Sequence, residues 1–346
     1  MPRLLLLSIL IPFMFSCGST ADENGFTEIT IDEANLFTSA ETDDNIANPS
    51  TIRVADNQVY LYDFGLQKIH HYATNGNRIR MFGEQGQGPG EFQGLAGFWV
   101  FDNEIAAFDQ RGAKLLYYSR DGRFLNEEAI DQENFAPGFT MTGPGQLIIP
   151  LNGRDGKLAK YKDITGGQSF AFGDAEIEAS DFDPGAISQS LERGNLPSYM
   201  LGRISVAAGD DRIFLFHIAT GKLQAFDKEG TLQAEIVLDL PVMEKIKEEF
   251  FEQSRTALEQ GFFILFSYIN SIKATDNGVA LLLNAPIDYP VTVLTLDKSL
   301  QNQTAFYYDF EILGRVQTID IDEANNTIYF VNMGTSEVFR APWGVQ

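Results

Sequence analysis

Apolar positions in this chain fall into short alternating or continuous runs of five or so residues, each entered through a turn and most left through a polar residue. The pattern repeats: Asp56-Asn57-Gln58-Val59-Tyr60-Leu61-Tyr62-Asp63 returns 46 residues later as Asp102-Asn103-Glu104-Ile105-Ala106-Ala107-Phe108-Asp109. Thirteen residues past each final aspartate stands a turn glycine, Gly76 and then Gly122. Runs rich in β-branched and aromatic residues, bounded by Asn, Asp and Gly, predict strands. A period of about 45 residues is the length of one four-stranded propeller blade.

The same signal locates further units. Second strands are expected to start at Gln58, Glu104, Gln146, Arg212, Gly278 and Thr327, with the cores VYLYD, IAAFD, LIIPL, IFLFH, VALLL and IYFVN. Third strands follow at 68–72, 114–119, 158–162, 222–227, 291–297 and 337–341. The predicted fold is therefore all-β, a six-bladed β-propeller of four-stranded blades. The sixth unit runs out after Ala341-Pro342, so its outer strand must come from elsewhere. The alternating Phe26-Thr27-Glu28-Ile29-Thr30-Ile31 is the expected donor, an N-terminal strand closing the last blade and removing exposed sheet edges.

Successive second strands are 46, 42, 66, 66 and 49 residues apart, so two intervals carry insertions. Residues 173–201, rich in Asp, Gly, Ser and Pro, read as a long loop. Residues 240–261 read as one inserted helix, with Pro241 at its start, Gly261 at its stop, and Val242, Ile246, Phe250 and Leu258 on one face beside Phe251. Packing of that face across the propeller is expected; a partner-binding role would need Phe250 and Phe251 exposed.

The segment ahead of the repeats reads as an export signal. Arg3 precedes an apolar run from Leu4 to Phe15 that is too short to span a bilayer, and Cys17, the only cysteine, follows it. The run Met14-Phe15-Ser16-Cys17-Gly18 resembles the lipobox of bacterial lipoproteins. That resemblance implies a signal peptide over 1–16, lipid attachment at Cys17, a tether over 17–25, one propeller domain over 26–346, and, with Gly18 after the cysteine, an outer-membrane location on the periplasmic or surface side. Ordinary cleavage after Ser19-Thr20-Ala21 is the alternative and would leave no anchor.

Blade one, DNQVYLYDFGLQKIHHYATNGNRIRMFGEQGQGPGEF, resembles the NHL-type repeat of six-bladed propellers, and is similar in particular to six-bladed β-propeller lipoproteins of Gram-negative bacteria. The likeness is strongest over 49–125. It implies fold and envelope location, and most members of that group have no assigned activity.

A net charge of −23 repels phosphate backbones and argues against nucleic acid as a partner. The acids are scattered, as on a solubilising surface. The residues ending each second strand, Asp63, Asp109, Leu151, His217, Leu283 and Asn332, are expected around one mouth of the ring. Asp63, Asp109, His217 and Asn332 are thus the candidate ligand-binding set, able in principle to hold Ca²⁺ or Zn²⁺ as in metal-dependent lactonases and amidating lyases of related folds. Against this, Asp commonly ties a turn through backbone N–H groups. His70 and His71 are consecutive on a strand, point to opposite faces, and read as packing residues. The glycine run 83–92 lacks the Lys-Ser/Thr end of a phosphate loop and reads as a tight crossing, and Asp320 to Asn325 as a turn. No catalytic motif is present, so the expected function is an envelope lipoprotein binding a small molecule or an envelope protein, without catalysis and without a cofactor. A metal-assisted lactonase- or lyase-like enzyme is the alternative.

Overall fold

The computed structural model describes residues 26–130, 138–178, 180–287 and 289–344. Cys17 and the segment 1–25 lie outside them. Six four-stranded antiparallel sheets form the blades of a ring, with inner strands at Pro49–Ala55, Leu95–Val100, Thr140–Gly143, Ile204–Ala208, Ile269–Thr275 and Thr318–Asp322. Second strands start at Gln58, Glu104, Gln146, Gly278 and Thr327 as expected, and at Ile213 in blade four, one residue later than expected.

These strands were readable because the ring buries both of their faces. Every residue of Gly278–Leu283 is buried, and so is every residue but the first of Gln58–Asp63. A strand covered on both sides by neighbouring blades becomes a continuous apolar run. Outer strands meet solvent and lose that signal: four of the five residues of Arg78–Phe82 are exposed. The core is correspondingly not one centre but six clusters, one between each pair of blades. The cluster between blades four and five is enlarged by the inserted helices.

The ring closes differently from the expected way. Leu36–Ser39 is the outer strand of blade six, antiparallel to Glu337–Pro342, whereas Phe26–Ile29 pairs in parallel with Gln303–Tyr308 as a fifth strand on blade five. The alternation in 26–31 was real, since Thr27, Ile29 and Ile31 are buried while Glu28 and Thr30 are exposed. It marks a strand that covers an outer edge. A 3-10 turn at Glu33–Asn35 then carries the chain to the neighbouring blade, where Leu36-Phe37-Thr38-Ser39 is too short to announce itself.

The insertions also differ in part. Residues 173–201 contain helix α1, Pro184–Glu192, and helix α2, Ser198–Leu201, rather than only a loop. Asp183 caps α1 by accepting from Gly185 N at 2.8 Å and Ala186 N at 3.2 Å, and Pro184 fits the first turn. Composition hid this start signal. Helix α3, Pro241–Glu259, buries Met243, Ile246, Phe250, Ser254 and Ala257. Phe250 stacks edge-on against Phe266 at 5.0 Å, with Phe251 partly buried beside it, so the face packs on the propeller as expected. A short helix α4, Phe310–Leu313, precedes the inner strand of blade six.

Phe37 sits at the closure, edge-on to Tyr72 of blade one at 5.5 Å and to Tyr329 of blade six at 5.3 Å. Phe37→Ala should lower unfolding stability by about 2 kcal/mol, below the cost of truncating a fully buried phenylalanine, because Phe37 is only half-buried. Chemical denaturation checks this; an unchanged midpoint would show that the closure does not limit stability.

Candidate functional site: strand ends and central channel

Asp63 ends the second strand of blade one and is fully buried. Its carboxylate accepts from Ala47 N at 2.7 Å, Asn48 N at 3.0 Å and Leu66 N at 2.9 Å. Asp109, also fully buried, accepts from Gln93 N and Gly94 N, both at 2.9 Å. Each aspartate thus fixes the crossing that enters its own inner strand, and Gly112 is demanded beside Asp109 because a Cβ there would collide with its carboxylate. Asn332 does related work, donating from Nδ2 to Leu313 O at 2.8 Å and accepting on Oδ1 from Gly334 N and Thr335 N. His217 instead pairs through Nε2 with Gln224 Oε1 at 3.1 Å, inside blade four, and burial holds its pKa below the usual imidazole value.

The four residues of the candidate set are therefore each engaged within their own blade. One residue beyond the positions read from sequence, Asn284 Nδ2 donates to Ser267 O at 3.2 Å in the crossing that enters its own blade, whereas Asn152 Oδ1 accepts from Ile204 N at 3.0 Å and so ties blade three to blade four. Among the described residues, no three His, Cys, Asp or Glu side chains come together as a metal site. The glycine run is likewise tied to itself: Gly88 N donates to Glu91 Oε2 at 2.8 Å, and Gly90 O accepts from Tyr118 Oη at 2.7 Å.

The large cavity lies elsewhere, along the ring axis. It has a volume of about 1080 Å³ and is walled mainly by the inner strands. Antiparallel pairing puts one residue of each inner strand opposite the third residue of its second strand as counted from the sequence. Around the ring these are Arg53, Trp99, Thr140, Ala207, Lys273 and Asp320. They form one layer, and neighbours within it bond: Trp99 Nε1 donates to Thr140 Oγ1 at 3.2 Å, and Lys273 Nζ lies 2.6 Å from Asp320 Oδ1. Asp320 is fully buried and also accepts from Val54 N at 2.7 Å, so a single carboxylate joins blades five, six and one.

Arg53, on the wall, donates to Ile52 O at 2.7 Å and lies over the Phe98 ring at 5.7 Å. Burial pulls its pKa down from the ordinary guanidinium value while Asp320 opposes the change; guanidinium groups in proteins do not lose their proton, so it keeps its charge. Arg111, in the loop after Asp109, stands exposed at the mouth. Sequence reading missed this layer. A usable signal existed: Arg53, Trp99, Ala207 and Lys273 all stand five residues before the expected start of a second strand.

A family model described as a six-bladed β-propeller, DUF5128, matches residues 33–158, which span blades one and two and reach into blade three. No curated protein matches the chain. Among solved structures, a protein of Bacteroides fragilis NCTC 9343 provisionally described as exported superposes with a TM-score of 0.54 at 15% identity, over 92% of this chain and 99% of that one. U3-55K does so with a TM-score of 0.50 at 9% identity, over 85% and 95%. A streptogramin B lyase reaches 0.47 at 12% identity, over 84% and 78%. At such identities the likeness is one of fold.

His70 and His71 are buried on opposite faces of blade one, as expected of packing residues. His71 stacks on Tyr60 at 4.5 Å, and His70 Nε2 lies 4.0 Å from Asp63 Oδ2. Burial pushes both imidazoles down to about 4, against an opposing pull from Asp63 on His70. Unfolded histidines bind protons near pH 6.5, so the unfolded chain takes up more protons between pH 6.5 and 4 and stability falls as pH drops through that window. His70→Phe should remove about 2 kcal/mol of that loss, read as the difference between variant and wild-type denaturation curves at pH 7 and pH 4.5. An equal pH dependence in both proteins would contradict a neutral, buried His70.

Proposed function

We propose that this chain is an exported, lipid-anchored propeller of the cell envelope that binds a small molecule in its central channel without transforming it. The observation that carries the reading is the channel itself. Its volume of about 1080 Å³ suits a small-molecule site, and its wall presents Arg53, Lys273, Thr140, Thr318 and Trp99 from inner strands. Such groups grip and orient a ligand. At the strand ends, by contrast, Asp63, Asp109 and Asn332 are spent on backbone N–H and C=O groups and His217 on the Gln224 side chain. The envelope assignment rests on the apolar run Leu4 to Phe15 and on Cys17 directly after it.

Two outcomes are expected. A small-molecule panel screened by thermal shift should yield ligands that stabilise the wild type by about 2.7 kcal/mol at a hundredfold excess over Kd. The double variant Ala96→Phe and Thr318→Phe, which places two rings on the channel wall, should fold and lose that shift. A shift that survives in the double variant would move the ligand out of the channel, and recovery of a converted ligand would reject a purely binding role. Separately, cells fed a labelled fatty acid should label the wild type, and Cys17→Ser should abolish the label and release the protein from the membrane fraction. A label that survives the substitution would refute anchoring at this residue.

A further inference from the structure

The channel is chemically two-sided. Blades five, six and one contribute Ser271, Lys273, Thr318, Ser50, Thr51 and Arg53, while blades two, three and four contribute the apolar Trp99, Phe139, Met141, Val206 and Ala207, with Gln110, Arg111 and Thr140 as their polar groups. Trp99 and Phe139 stack at 5.0 Å with their planes 28° apart, making a fixed aromatic wall. The charge balance runs opposite to that of the whole molecule. In a chain of net charge −23, the described residues lining the channel include Arg53, Arg111 and Lys273 and, among those described, no carboxylate.

Among the described residues, one of those cations has a carboxylate at ion-pair distance. Lys273 is held by Asp320 at 2.6 Å, and two of the four lone-pair directions of that carboxylate are taken by Val54 N and Ile321 N. Arg53 spends one of its five N–H donors on Ile52 O, and Arg111 makes no hydrogen bond or ion pair with a described residue. Unspent guanidinium donors in a recess of reduced dielectric are a receptor for an anion, since charge-assisted bonds there are about twice as strong as neutral ones. The aromatic wall of Trp99 and Phe139 in the same channel would cover an apolar body of the same molecule.

We propose, resting on the channel-binding reading above, that the ligand class is organic anions with a ring-bearing apolar body. The carboxylate, sulfonate or phosphate lies against Arg53 on the side of blades five, six and one, the ring lies on Trp99 and Phe139, and Arg111 draws the anion to the mouth. The acidic exterior makes this selective in an unusual direction: a general electrostatic effect of the protein would repel such a ligand, so any preference for the anion has to come from the channel.

The test uses two dyes with the same body, 8-anilinonaphthalene-1-sulfonate and its uncharged counterpart N-phenyl-1-naphthylamine. The background is Trp343→Phe, which leaves Trp99 as the single tryptophan and lets energy transfer report binding in the channel. The sulfonate should bind at least tenfold more tightly. Arg53→Gln should cut sulfonate affinity about tenfold and leave the neutral dye within twofold. Arg111→Gln, a substitution at an exposed side chain that makes no hydrogen bond or ion pair with a described residue, should weaken the sulfonate about threefold and leave the neutral dye unchanged. Iodide should quench Trp99 more strongly than caesium, and Arg53→Gln should narrow that gap. Equal affinity for the two dyes, with both excluded by Ala96→Phe plus Thr318→Phe, would overturn the anion class while leaving channel binding intact. Dye binding that ignores the double variant, or no energy transfer from Trp99 to either dye, would overturn both.

Discussion

No blade of this protein can be stable alone. The middle strands carry apolar side chains on both faces, so each sheet needs a neighbour on either side, and the last sheet must meet the first. Everything else follows from that closure. Leu36–Ser39 supplies it by completing blade six, Phe37 fills the seam between Tyr72 and Tyr329, and Asp320 ties blades five, six and one by one buried carboxylate. The added parallel strand Phe26–Ile29 covers the outer edge of blade five.

Closure also explains where the buried acids went. A crossing from one blade's outer strand to the next blade's inner strand leaves backbone N–H groups pointing inward, and each would be costly if unpaired. Asp63 and Asp109 pair several at once, Asn152 accepts from one more, and Asn332 and Asn284 donate to the crossing carbonyls of Leu313 and Ser267. Recurrence at one repeat position is what a shared structural duty produces. Chemistry that differs from blade to blade has to come from a position where the repeat does not constrain the side chain. The layer of Arg53, Trp99, Thr140, Ala207, Lys273 and Asp320 is such a position, for no two of its members are alike.

The sequence made the strands legible in proportion to their burial. The second and third strands of all six blades stood out because apolar runs between turn residues are unambiguous when both faces are covered. Outer strands such as Arg78–Phe82 and the closing strand Leu36–Ser39 carry little pattern, whereas 26–31 alternates clearly and so draws the closing role in sequence although it pairs with blade five. Helix α3 was legible from its periodic face and its flanking Pro241 and Gly261. Helix α1 was not, although Asp183-Pro184 is a sound start signal, because its surroundings read as loop.

The hydrophobic pattern by itself determined the architecture: six repeats, four strands in each, an inserted helix, and strand-end residues bound to a turn duty. It did so because β-pairing and burial act over a few residues and leave a local imprint. Which segment closed the ring, and which side chains met across the channel, were settled only in three dimensions. Arg53 and Lys273 are 220 residues apart in the chain, each an unremarked charge in a mixed strand, and only the shared repeat position, five residues before a second strand, links them to Trp99. They share a wall because a closed ring of six blades sets the same register position of every inner strand around one axis, and that constraint exists only once the first blade has met the last.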